Sequence, residues 1–256
     1  MRLMACADAA AVASAAADRI EALLRQRPEA VLGLATGRTM EPLYAELRRR
    51  HRQGLSFAHC TTFNLDEYYG LPADSPHSFR AFMQTQLFGP LGLDPSRTHL
   101  PDPETEGRTY EAAIQAAGGI DLQVLGLGSN GHIGFNEPGS RFDSRTRRIE
   151  LDSATRLQNA SQFAGELTGV PTAAITMGIG TILEAREILL LVTGQGKAEI
   201  LRRCRSSSPQ QALPATALHL HPGVTLYADT DALGTGGFDK YCKAPVMVGE
   251  PETQNQ

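Results

Sequence analysis

The chain has 256 residues, 41% hydrophobic and 20% charged, enough apolar material for a sizeable core and too much for a disordered chain. Its formal net charge of −4 argues against nucleic acid or an anionic membrane as a partner, so an anionic small substrate would need a local cationic pocket. The four cysteines, Cys6, Cys60, Cys204 and Cys242, are scattered without a CxxC pair, which speaks against both a zinc site and a disulfide framework.

The Ala-rich N-terminus is interrupted by Asp8 and Asp18 and lacks a long apolar run, so it predicts a first helix over about 8–26 rather than a signal peptide. No segment has the length and apolarity to span a bilayer, and the chain reads as a cytoplasmic protein. Ala30 to Leu34 has strand character and ends in Thr36-Gly37-Arg38-Thr39, with a helical pattern from Met40 to about Arg50. A second strand is predicted over Phe57–Leu65, ending at Asp66-Glu67, followed by helices near 77–88 and 104–117. A third strand runs from Ile120 to Leu127, and a fully apolar one over Glu187–Val192 leads into Thr193-Gly194-Gln195-Gly196-Lys197 and another helix. Val224 to Ala228 predicts a last strand, and the stretch from about Asp229 reads as a loose tail. Apolar strands alternating with helices predict a single α/β domain: an open, mostly parallel sheet with helices on both faces. Ligands of such sheets bind beyond the carboxyl ends of strands, where the loop at 36–39, Asp66, the loop at 128–139 and Lys197 all fall.

The loop Gly126-Leu127-Gly128-Ser129-Asn130-Gly131 satisfies the dinucleotide pattern GxGxxG. That pattern needs a helix opening on the third glycine, and His132-Ile133-Gly134-Phe135-Asn136-Glu137-Pro138-Gly139 makes such a helix improbable. The glycines instead let the backbone approach a ligand and present N–H groups. Between them His132 and Glu137 stand five residues apart, close enough for a turn to bring them into contact. A carboxylate beside an imidazole raises its pKa and orients it, as a proton shuttle requires.

Two segments, Thr61-Thr62-Phe63-Asn64-Leu65-Asp66-Glu67-Tyr68 and Gly126 through Gly139, resemble the signature segments of glucosamine-6-phosphate deaminases. Leu32 to Gly37 resembles that family's phosphate loop, and the likeness in order and spacing runs from about Val31 to about Tyr227. The resemblance implies a modified Rossmann-type three-layer fold and no metal or organic cofactor. It implies conversion of glucosamine 6-phosphate and water to fructose 6-phosphate and ammonia. By the same resemblance Asp66 is the base that moves a proton between C2 and C1, and His132 is the ring-opening acid/base with Glu137 as its partner. Asn130 stands where some members have Asp; an amide cannot relay a proton, so its expected role is orienting. Thr36, Gly37, Arg38, Thr39, Gly128 and Lys197 are the expected substrate-binding residues, and about 147–176 is the expected mobile lid.

The chain departs from the family pattern at the phosphate site. The family loop reads Thr-Gly-Gly-Thr where this chain has Thr36-Gly37-Arg38-Thr39, and Ser161 stands where the lid presents an arginine. Arg38 is therefore a candidate substitute for that cation. Lys197 matches the family's phosphate lysine; Gly194-Gln195-Gly196-Lys197 is not a Walker A loop, because Ala198 follows the lysine and the upstream glycine is missing. Ser140 and Arg147 match part of an allosteric N-acetylamino-sugar phosphate site of hexameric members, but Ile149 replaces its lysine, so no such regulation is expected.

Other readings stay open. The epimeric galactosamine 6-phosphate, giving tagatose 6-phosphate, fits the lid changes. A 6-phosphogluconolactonase resembles the fold but needs no base at Asp66. A sugar-phosphate sensor without turnover would have no use for the proton-transfer residues. Asp66 also reads as a helix N-cap, and His219-Leu220-His221 as a pair of imidazoles on one strand face. Oligomeric state is not written in the sequence.

Overall fold

The computed structural model describes residues 1–72, 74–163 and 165–234, with the side chains at 154, 158, 161, 162 and 167 outside that description. The strands are β1 (Arg2–Cys6), β2 (Val31–Leu34), β3 (Thr61–Asn64), β4 (Asp66–Tyr68), β5 (Thr98–His99), β6 (Leu122–Gly126), β7 (Arg147–Glu150), β8 (Ala173–Thr176), β9 (Glu187–Val192) and β10 (Val224–Asp229). Seven form one sheet in the order β1-β10-β9-β6-β2-β3-β5, every neighbouring pair parallel. β2 and β10 are buried at every position and β9 at all but its first, so the sheet is covered on both faces. The architecture is the expected open α/β sheet. No helix among the described residues is long and apolar enough to cross a membrane.

Local chemistry explains the elements that the sequence announced. Helix Ala9–Gln26 starts at Asp8, whose side chain accepts the Ala11 N–H at 2.8 Å. Its buried residues, Val12, Ala13, Ala16, Ala17, Ile20 and Leu24, recur every three or four positions, which puts one stripe against the sheet and against helix Met40–Arg52. Near 77–88 the chain forms helix Phe79–Met83, a π turn at Gln84–Phe88 and a short helix Gly89–Leu91. Pro90 has no N–H for the Gln86 carbonyl, and the Arg48 guanidinium takes that carbonyl instead.

A second, antiparallel sheet, in the order β4-β8-β7, was not expected. Its strands are three or four residues long, too short for a period to register. Edge strand β1, ahead of the predicted first helix, was not expected either; it exists by pairing with β10, with Arg2 opposite Thr225. The predicted strand over 57–65 shortens to Thr61–Asn64, since Phe57–Cys60 closes a turn. The tail does not begin at Asp229: that residue ends β10, is buried, and caps helix Thr230–Leu233 through the Ala232 N–H at 2.8 Å. The rest of the expected tail, from residue 235, lies outside the described residues.

The order of strands sets the site. From β2 the chain proceeds outward through β3 and β5, then returns to lay β6 on the other side of β2. The loops after β2 and β6 therefore diverge and leave a crevice at the carboxyl ends of the strands.

Candidate active site

A cleft of about 200 Å³ occupies this crevice, lined among others by Thr36–Thr39, Asp66, Gly128, His132, Asn159 and Lys197. The structure thus gathers most of the residues singled out in the sequence; Asn130 and Glu137 stand one layer behind, against His132.

One end of the cleft is cationic. The loop after β2 turns at Gly37, whose φ of 102° only glycine adopts easily, and feeds helix Met40–Arg52. Thr39 precedes that helix, whose N-terminus lines the cleft and turns the positive end of its dipole toward it. Lys197 enters from the turn after β9. Its ammonium is held below the ordinary lysine value, first by burial and then by the positive charge of Arg38. Among the described residues neither cation has a carboxylate partner. Two neighbouring positive groups at a helix N-terminus make a site for an anion. The turn itself is fixed by Asp229, whose carboxylate accepts the Gly194 N–H at 3.0 Å.

Asp66 lines the same cleft. Leu65 bridges the two sheets, its N–H donating to the Leu34 carbonyl and its carbonyl accepting the Met177 N–H. Asp66 then opens β4 opposite Thr176 of β8. The residue is 6% exposed, and among the described residues its carboxylate accepts no hydrogen bond. Burial, followed by the negative charge of Glu67, pushes its pKa up to about 8. Gly134 keeps space in front of it: a Cβ there would stand 3.4 Å from Asp66 Oδ2 and 3.1 Å from Thr176 Oγ1. The helix-capping alternative goes to Glu67, whose carboxylate accepts the N–H groups of Tyr68, Phe79 and Arg80, each at 2.9 Å. Asp66 is left free to face the cleft.

The loop after β6 holds the imidazole. No helix follows Gly131, which removes the dinucleotide reading. The His132 ring lies against Gly128, where any Cβ would come within 2.2 Å of it, so only glycine fits. Nδ1 of His132 is 2.7 Å from Asn130 Oδ1, and Asn130 Nδ2 donates to Glu137 Oε2 at 2.6 Å. A carboxylate only accepts, so the amide must turn its nitrogen to Glu137 and its oxygen to His132. Nδ1 is then the donor, and the other nitrogen is left for the cleft. His132 and Glu137 come together as expected, Nδ1 standing 3.7 Å from Glu137 Oε2, and Asn130 bonds to both. Burial alone would raise the Glu137 pKa, but bonding with His132, Thr155 and Asn130 outweighs it and holds the group below the usual glutamate value. Asn136 anchors the loop, donating to the Ile133 and Met177 carbonyls at 2.9 and 2.8 Å and accepting from Arg147 at 2.9 Å.

Several residues that shape the site carried no signal in the sequence. Thr155 donates to Glu137 Oε1, and Asn159 donates to the Tyr68 hydroxyl at 2.9 Å. Both belong to helix Ser153–Asn159, between β7 and β8, in the segment expected as a lid. Asp229 was assigned to a tail. Glu67 and Tyr68 sat inside a recognised segment without a role. The side chain of Ser161 lies outside the described residues. His219 and His221 share no strand face: one follows the other out of a 3₁₀ helix, and they bond separately to the Cys204 and Ala185 carbonyls. Among the described residues no cluster of three metal-ligating side chains occurs.

Comparison with known proteins identifies the family. The profile of the family described as glucosamine-6-phosphate isomerases/6-phosphogluconolactonase matches residues 5–227. A glucosamine-6-phosphate deaminase of Geobacillus sp. (strain WCH70) is 46% identical over 239 residues, 91% of this chain and 95% of its own. One from Rhodopirellula baltica is 50% identical over 215 residues, 82% of this chain and 85% of its own. The solved structure of a monomeric glucosamine-6-phosphate deaminase superposes with a TM-score of 0.88 at 41% identity, covering 91% of this chain and 99% of that one. A 6-phosphogluconolactonase from Leishmania guyanensis shares the fold, with a TM-score of 0.71 at 21% identity over 90% of this chain and 97% of its own. The chain belongs to the glucosamine-6-phosphate isomerase/6-phosphogluconolactonase family.

Proposed function

We propose that this family member deaminates its substrate through Asp66 and His132, which line one cleft. The activity is the isomerising deamination of an amino-sugar 6-phosphate: glucosamine 6-phosphate and water give fructose 6-phosphate and ammonia. The observation that carries the residue assignment is Asp66 itself, a buried carboxylate without a hydrogen-bond partner among the described residues that faces the same cleft as an oriented imidazole. Hydrolysis of a lactone has no use for a base in that position.

The phosphate occupies the cationic end, held by Lys197, Arg38 and the N–H groups of the Thr36–Thr39 loop. His132 takes the proton of the O1 hydroxyl and returns one to O5, which opens the ring. Asn130 and Glu137 fix its tautomer and compensate the charge it carries between the two transfers. Asp66 removes the C2 proton to give an enolamine and delivers it to C1, leaving a ketimine at C2. Water adds at C2, nitrogen leaves as ammonia, and the ketose carbonyl remains. Asp66 must be ionised to accept the proton, and the ammonium of the substrate supplies the positive charge that its dry pocket lacks.

The test is a side-by-side assay of ammonia and ketose phosphate from glucosamine 6-phosphate and galactosamine 6-phosphate. Stoichiometric ammonia and fructose 6-phosphate from the first is the expected result. Tagatose 6-phosphate as the faster product would move the assignment to the epimer, and no ammonia from either would remove it.

A further inference from the structure

Helix Ser153–Asn159 bonds to two parts of the site, Glu137 behind His132 and Tyr68 beside Asp66 on β4. Thr155, 3% exposed, sends its hydroxyl proton to Glu137 Oε1. Four residues on, one turn along the same helix face, Asn159 donates to the Tyr68 hydroxyl at 2.9 Å. Tyr68 lies two residues from Asp66 on β4, so both residues point to one face of that strand. Its ring packs on Phe79 and Phe135 with centroids 4.6 and 5.6 Å apart, and on Phe163, just beyond the helix, at 5.7 Å.

The two oxygens of Glu137 have separate donors. Oε2 takes Asn130 from its own loop, and Oε1 takes only Thr155 among the described residues. If the helix moves away, Oε1 loses its donor, while the Glu137–Asn130–His132 chain keeps its own bonds.

We propose that Thr155 is a positioning residue for the acid/base group, brought to Glu137 by helix Ser153–Asn159, which Asn159 anchors to Tyr68. The inference rests on the role given to Glu137 above. Covering the cleft with this helix completes the hydrogen-bond shell of Glu137. Thr155 fixes the angle at which that carboxylate holds Asn130, and through it the ring of His132. Thr155 is not a catalytic residue, since it reaches the reacting atoms only through these three side chains.

The experiment compares Thr155→Val, Thr155→Ala and Thr155→Ser with Glu137→Gln, alone and combined. The readouts are kcat and KM for ammonia release from glucosamine 6-phosphate and the inhibition constant of inorganic phosphate. Loss of a hydrogen bond to a charged group predicts a fall of about tenfold or more in kcat for Thr155→Val and Thr155→Ala. KM and phosphate inhibition should stay within about twofold, because the phosphate end is untouched. Thr155→Ser should recover most of the loss, since it restores the hydroxyl. In the Glu137→Gln background, Thr155→Val should cost less than about threefold, the non-additivity expected of residues acting through one another. Wild-type kcat in both Thr155→Val and Thr155→Ala overturns the proposal, as does an undiminished loss in the Glu137→Gln background. Wild-type turnover by Glu137→Gln alone overturns the role of Glu137 and this inference with it. Normal Thr155 variants beside a crippled Glu137→Gln leave that role standing and sink only the inference.

Discussion

Asp66 and Glu137 stand at the same site and are held in opposite ways. Asp66 is buried, without a hydrogen-bond partner among the described residues, next to another negative charge, and its pKa is pushed up to about 8. Glu137 is also half-buried, yet bonding with His132, Thr155 and Asn130 holds it below the ordinary range. The difference separates two jobs. A group that must take a proton from carbon benefits from being an unsatisfied base, with a pKa near the working pH. A group that must stay charged to orient an imidazole benefits from every donor it can collect.

The strongest way to break this contrast is Asp66→Asn, which keeps the shape and removes the base. Turnover should fall by about 10²–10⁴-fold, with loss of C2-proton exchange into solvent. Retention of most activity would end the assignment. The same variant tests the dryness of the pocket. The folded state keeps a proton on Asp66 that the unfolded chain has already released. Raising the pH from the unfolded value near 4 to about 8 therefore costs stability. Asp66→Asn removes that cost, so its melting temperature relative to wild type should climb between pH 4 and pH 8 and level off above. A constant difference would show that Asp66 ionises freely.

Next in size is the other half of the comparison. His132→Gln and Glu137→Gln should slow a cyclic substrate by about 10²-fold and an open-chain analogue much less, because their work is ring opening. Equal losses on both substrates would place their role elsewhere.

The cationic end supplies a smaller effect. Arg38→Gly should raise KM by about tenfold with little change in kcat, since phosphate binding is shared by ground and transition states. Introducing Ser161→Arg in that variant should restore much of the loss. An unchanged KM would return Arg38 to the solvent.

The smallest effect sharpens the cause of the Asp66 shift. The acid limb of kcat/KM should have its midpoint near pH 8 in the free enzyme. Glu67→Gln removes the neighbouring negative charge, which lowers the Asp66 pKa and moves the limb to lower pH by less than about one unit. A limb that stays in place would leave burial as the sole cause.

How much of the site was legible depended on the distance between partners in the chain. His132, Asn130 and Glu137 fall within eight residues, so the segment could be recognised whole, but the order of their bonds could not. Placing Asn130 between the other two requires knowing which way an amide turns, and only its neighbours fix that. Thr155, 18 residues from Glu137, and Asn159, 91 residues from Tyr68, sit in a short helix whose pattern says nothing of either partner. Asp229, 35 residues from Gly194, was read as the start of a tail because a strand end and a loop start look alike without the neighbouring strand.

By itself the sequence determined the alternation of apolar strands and amphipathic helices, the glycine-rich loops at the strand ends, and the residue types able to move protons and bind an anion. These are properties of a few consecutive residues: the period of burial, the φ that only glycine tolerates, a contiguous motif. The tertiary structure decided the antiparallel second sheet, the crevice between β2 and β6, and the opposite environments of two carboxylates. Those depend on what is excluded from or delivered to a position by distant segments. Asp66 is buried where β4 pairs with β8, and a hydroxyl is carried to Glu137 by a helix 18 residues on in the chain.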